Sequence, residues 1–199
     1  MIDLFIPFPR RHFAIIYADP PWHYGNGKLP TNRVSDSEDW LYTTTPTAEL
    51  KKLPVRDIAE RNALLFMWST DSHLKQAIQL GEAWGFTYTT VAFVWHKGMR
   101  HMVGPYTMKQ CLLFRRGNVP QPRGARNLPQ FLMEEKREHS RKPDSVRDSI
   151  SAMFPVQSKI ELFARGVYPG WEVWGNQIPA PANDNFLLRQ SGMEQITEA

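Results

Sequence analysis

The residues best equipped for chemistry are Asp19-Pro20-Pro21-Trp22, which follow the apolar run Phe13-Ala14-Ile15-Ile16-Tyr17-Ala18. The run reads as a buried strand, so the tetrad places a carboxylate, two rigid backbone units and an indole at a strand's end. Consecutive prolines fix φ and remove two amide donors, leaving carbonyls as acceptors. A flat ring bearing an amino group suits such a set: the amine donates to Asp19 and to the Pro20 carbonyl, and Trp22 offers a stacking face. The competing reading is a proline turn after a strand, with Asp19 capping a helix and Trp22 in the core.

Other chemistries find little support. No Gly-x-Gly-x-x-Gly follows a strand and no Gly-Lys-Ser/Thr loop occurs, which argues against dehydrogenase and kinase functions. The six histidines (12, 23, 73, 96, 101 and 139) lack zinc spacing, no His-x-Glu with paired cysteines is present, and no Gly-x-Ser-x-Gly exists. No metal is expected. What fits is a reaction governed by orientation, such as methyl transfer from a sulfonium to an amine, where the leaving thioether is neutral and the protein supplies in-line geometry. At an exocyclic adenine nitrogen, hydrogen bonds to Asp19 and the Pro20 carbonyl would favour the developing positive charge. Trp22 and Tyr24 would pack against a base taken out of its stack.

The elements that must position these groups alternate. Strands are predicted at 13–18, 63–68, 87–95, 111–115, 159–164 and 171–175, with 131–132 a short strand or helix. Helices are predicted from Thr47, as cap, through Leu53, over 73–84 ended by Gly85, and around Val146, Ile150 and Met153. This order predicts an α/β fold with a mostly parallel sheet, right-handed crossovers and an antiparallel edge hairpin turned at Gly117-Asn118. Ligands of such sheets sit beyond the strands' carboxyl ends, where Asp19, Ser69 to Asp71, Lys97 and Arg165 can converge. The glycine-containing stretches 23–45 and 98–108 read as binding loops.

At 199 residues and 42% apolar content, the chain suits one domain, expected over 1–178, with 179–199 a flexible tail. Neither a signal peptide nor a membrane span is expected, and Cys111 reads as core filler. The net charge of +4 is unevenly spread: twelve Lys/Arg against four acids lie between Lys97 and Arg147, so the remainder is net acidic. A concentrated basic segment predicts a polyanionic partner.

Asp19-Pro20-Pro21-Trp22, Lys142-Pro143-Asp144, Lys159-Ile160-Glu161-Leu162-Phe163-Ala164-Arg165 and Gly170-Trp171-Glu172-Val173-Trp174-Gly175-Asn176-Gln177 occur in this order. Together they resemble the adenine-N6 methyltransferase family that includes the catalytic subunit of the eukaryotic mRNA adenosine methyltransferase. The resemblance runs from about 13 to 178. It implies a Rossmann-like, S-adenosylmethionine-dependent methyltransferase fold with permuted motif order. It also implies that Asp19 to Trp22 hold the target adenine, with Asp19 near the methionine amino group. Lys142 would meet the methionine carboxylate, Glu161 would lie near the ribose or orient Lys142, and Arg165, Asn176 and Gln177 would bind the cofactor's ribose and adenine. Tyr168 stands near a position where the family often has histidine.

The chain is similar to the short bacterial and phage members of that family, which implies a DNA acceptor, a cytoplasmic setting and no obligate protein partner. RNA is the alternative acceptor, and a non-catalytic nucleic-acid-binding subunit the alternative class. A homodimer is compatible with the sequence. With no partner to build a groove, Lys97, Arg100, His101, Lys109, Arg115, Arg116, Arg123 and Arg126 are the candidates for holding the polynucleotide, mostly through phosphates.

Overall fold

A computed structural model describes residues 7–23, 45–97, 108–135, 141–175 and 178. Seven strands form one sheet: β1 (Phe13–Ala18), β2 (Ala59–Ser69), β3 (Thr87–His96), β4 (Met108–Arg116), β5 (Phe131–Met133), β6 (Lys159–Leu162) and β7 (Glu172–Trp174), in the order β5-β3-β4-β2-β1-β6-β7. β1 pairs in parallel with β2 and β6, β6 with β7, and β3 with β5; β4 runs antiparallel to both β2 and β3. All strands except β4 therefore point the same way. The antiparallel strand lies inside the sheet, not at its edge, because β3 folds back onto β4 and then accepts β5 on its far side.

Every residue of β1 is buried, as expected for a central strand covered on both faces. Ile16 and Ala18 join a layer with α1 (Thr47–Leu50), the 3-10 turn Val55–Ile58 and α2 (Leu74–Ala83). Ile15 and Tyr17 face α3 (Asp144–Met153) through Val146, Ile150 and Phe154. Helix, sheet and helix thus form three layers. α2 approaches so closely that a Cβ on Gly81 would lie 2.4 Å from the Phe114 ring, which is why a poor helix former occupies mid-helix.

Local corrections have simple causes. Thr47 is the first helical residue and Pro46 occupies the cap, since a proline fits a helix entry without needing its missing donor. β2 begins at Ala59, earlier than its apolar run, because Ala59 pairs with Phe13 across an irregular register. Leu74, the first residue of α2, is exposed. β6 stops at Leu162 because Phe163 turns to φ +62°. Among the described residues no helix is long and apolar enough to cross a membrane.

Candidate active site

The carboxyl ends of β1, β2, β3 and β6 share one edge of the sheet, and β4 starts there, since Met108 pairs with His96. Asp19 leaves β1 at this edge, and the Lys142 ammonium, two residues before α3, donates to Asp19 Oδ2. Lys142 is buried, with its Nζ 5.7 Å from the centre of the Trp68 ring. Trp68 is fixed from below: its Nε1 donates to the Tyr17 hydroxyl at 2.6 Å. Asp19, Lys142 and Trp68, from three distant segments, make one charged niche with an aromatic wall.

Burial alone would raise the Asp19 carboxyl, but Lys142, Lys109 and Arg165 outweigh it and hold Asp19 below its ordinary value. Burial pushes the Lys142 ammonium down; Asp19 opposes this, while Arg165 and Lys97 add to it. Lys97, Lys109 and Arg165 therefore belong to the electrostatic surroundings of the niche.

The two prolines behave differently from the sequence expectation of two outward carbonyls. The Pro20 carbonyl accepts the Trp22 N–H at 2.9 Å in a tight turn, and the Pro21 carbonyl accepts the Thr45 N–H at 2.9 Å. Pro20 is buried, and one of the two lone pairs of its carbonyl is thus engaged within the fold. Trp22 is buried: its Nε1 donates to the Trp68 carbonyl at 3.0 Å, and its ring stacks on His73 at 5.6 Å. Trp22 thus serves the niche as a wall from the core side, closer to the competing reading than to an open stacking platform.

His73 has no signal in the sequence beyond being a lone histidine at a helix start. It is buried at the entrance of α2, donates from Nε2 to the His23 carbonyl at 3.1 Å, and accepts at Nδ1 from the Thr70 hydroxyl at 2.7 Å. It clamps the turn after β1 to the end of β2. His73→Ala is expected to lower stability by about 2 kcal/mol and the catalytic rate about tenfold. Urea denaturation and initial rates on one preparation check this; an unchanged rate would detach His73 from the site.

Glu161 meets Arg147, not Lys142. The guanidinium bonds both carboxylate oxygens, Nε to Oε2 at 2.8 Å and Nη2 to Oε1 at 3.3 Å, while Nη1 reaches Asp144 at 3.0 Å. A planar fork matches a carboxylate better than a lysine can, and Arg147 lies one turn into α3, facing β6. Beyond β6, Phe163 holds a positive φ, stacked on Trp84 and edge-on to Trp174. A Cβ on Gly175 would come within 2.7 Å of the Ala164 carbonyl, so the ends of β6 and β7 nearly touch where Arg165 departs.

Arg115, Arg116, Arg123 and Arg126 are not gathered around Asp19. Arg115 and Arg116 end β4, and because β4 is antiparallel they lie at the opposite edge of the sheet from Asp19. Arg116 bonds the Arg56 carbonyl at 2.7 Å. Arg123 sits over the Phe154 ring, and Arg115, Arg123 and Arg126 line a separate cavity of about 300 Å³ with Leu64, Phe66 and Phe93. Tyr24, Arg100, His101, Asn176, Gln177 and the expected tail lie outside the described residues.

An ion pair against an aromatic wall at the carboxyl edge of a Rossmann-like sheet is equipment for gripping a charged ligand by charge and angle. The class this fold and site define is the methyltransferases that use S-adenosylmethionine. Comparison with known proteins narrows it: the chain belongs to the MT-A70 family, whose model matches residues 13–177. It is 43% identical over 194 residues to "Type II methyltransferase M.MunI" of Mycoplasma sp, covering 89% of this chain and 82% of that protein. It is 27% identical over 180 residues to "N(6)-adenosine-methyltransferase MT-A70-like" of Arabidopsis thaliana, and 26% identical over 179 residues to "N(6)-adenosine-methyltransferase catalytic subunit METTL3" of Homo sapiens. Of those two proteins it spans only 24% and 28%.

Proposed function

We propose that the chain methylates the exocyclic N6 of adenine in DNA, consuming S-adenosylmethionine and releasing S-adenosylhomocysteine. The observation that carries this reading is the partly buried Asp19–Lys142 pair beside Trp68. A zwitterionic amino-acid head is the ligand that can replace both partners at once, its ammonium on Asp19 and its carboxylate on Lys142. No unpaired charge is left behind, and so the donor's chemistry fits the residues present. Arg165, beside the same pair, is assigned to the donor's ribose side, and Glu161 to the wall behind it. Asn176 and Gln177 are assigned to its adenine.

Bound donor supplies a methyl group on a sulfonium sulfur. Asp19 and the spare lone pair of Pro20 accept the two N–H bonds of the target amine and aim its lone pair at that methyl. The N–C bond would form as the C–S bond breaks, the thioether leaving with the electron pair, and the methylated nitrogen would then lose its extra proton to solvent water. Because Asp19 is held below its ordinary value, it is a weak base. The cationic nitrogen is acidic enough that a weak base suffices, so Asp19 acts chiefly by orientation.

DNA is favoured as acceptor by the 43% identity, over most of both chains, to a protein named a type II methyltransferase. RNA is the second reading, supported by the more distant relatives named adenosine methyltransferases. Lys97 and Lys109, which act on the Asp19–Lys142 pair, are assigned to phosphates near the target base. A bacterial or phage origin and a cytoplasmic setting accord with this proposal. Matched DNA and RNA oligonucleotides, incubated with labelled donor and digested to nucleosides, test it: N6-methyldeoxyadenosine is expected, and label in RNA alone would overturn the DNA assignment.

A further inference from the structure

Resting on the donor assignment above, we propose that Arg147 is a positioning residue for donor binding: it locks the first turn of α3, and with it Lys142, to the end of β6. Neither the basic-segment reading nor the motif resemblance gives Arg147 a role.

Three contacts carry the proposal. The guanidinium forks onto Glu161 of β6 and reaches back to Asp144 at the start of its own helix. Its plane lies 3.3 Å from the centre of the Tyr168 ring, in the connection between β6 and β7. That contact gives Tyr168 a structural role beside α3. Asp144 is also paired with Arg141 at 2.9 Å, so the residues on both sides of the Lys142-Pro143 dipeptide are tied down. A proline next to the lysine leaves that dipeptide little freedom of its own. The position of the ammonium is thus set by where α3 begins, and Arg147 fixes where α3 begins.

The surroundings explain why the cation must be an arginine. Glu161 neighbours Tyr17 in the sheet and feels Asp19 from β1 and Asp144 from α3. Burial pushes its carboxyl up, those two carboxylates add to that, and Arg147 offsets only part. Removing the fork leaves a buried carboxylate crowded by acids, which would shift α3 or take up a proton.

Calorimetric titration of S-adenosylmethionine, without polynucleotide, tests this on the unmutated protein, Arg147→Met and Arg147→Lys, with kcat measured at saturating donor. Circular dichroism confirms equal folded content. Arg147→Met is expected to raise the donor Kd about tenfold with kcat within about threefold, and Arg147→Lys to raise it about threefold, a partial rescue through retained charge. If Arg147→Met does not fold, the lysine variant decides alone. A folded variant with Kd within about twofold of the unmutated value would overturn the proposal, as would a fall in kcat without a change in Kd. Failure of the unmutated protein to bind donor would instead overturn the donor assignment itself.

Discussion

Asp19→Asn is expected to lower kcat for methyl transfer by about 10³-fold while changing polynucleotide affinity little. The substitution keeps the side chain's size but removes the negative charge that favours a developing cation on the target nitrogen. It also leaves one acceptor oxygen where the carboxylate had two, so the target amine and Lys142 cannot both keep an acceptor, and the ammonium loses its counterion. The ammonium is buried, and its isolation is expected to cost about 2 kcal/mol of stability. The double variant Asp19→Asn/Lys142→Met separates the two effects: stability should largely return, and activity should not. Rapid-quench rates at saturating donor and urea denaturation measure both. An Asp19→Asn enzyme within tenfold of the normal rate would remove Asp19 from the reaction.

Lys142→Met is expected to weaken donor binding about 10²-fold, since a charge-assisted contact in a buried niche is lost. It also reverses a pH dependence. In the unmutated protein Asp19 titrates below its ordinary value, so its contribution to stability is complete above the unfolded carboxylate pKa of about 3.9 and is lost as pH falls through the lower folded value. Without Lys142, burial becomes the dominant influence on Asp19. Its folded value then rises above the unfolded one, and stability should fall, not rise, as pH is raised from about 4 to about 6. Urea denaturation across that range compares the slopes; equal slopes would show that Lys109 and Arg165 suffice to hold the carboxylate. With Lys142 present, donor affinity should fade on the alkaline side at a pH below the ordinary lysine value of about 10.4, because burial favours the neutral amine.

The strands were legible because central parallel strands need unbroken apolar runs, which β1 and residues 63–68 of β2 have, while β3 is marked by β-branched and aromatic residues. The interior place of β4 was not, because its composition is the same whether it ends a sheet or lies within one. The edge that Arg115 and Arg116 occupy was hidden for the same reason: chain direction decides which edge a strand's last residue reaches. Trp22 read as a stacking surface because residue type does not reveal which face a ring turns to the core. His73 and Arg147 carry no local pattern; their work lies in contacts to His23, Glu161 and Tyr168.

The sequence by itself determined the alternation of elements, the family and the chemical groups at the end of β1, since these follow from hydrophobic periodicity and a short ordered set of residue types. Tertiary structure alone decided that Asp19 and Lys142, 123 residues apart, become one partly buried pair. It also decided that Glu161 belongs to Arg147, and that the arginines after β4 stand away from the niche. Pairing and burial depend on strand direction and on what covers each face, and neither is a property of any local stretch of chain.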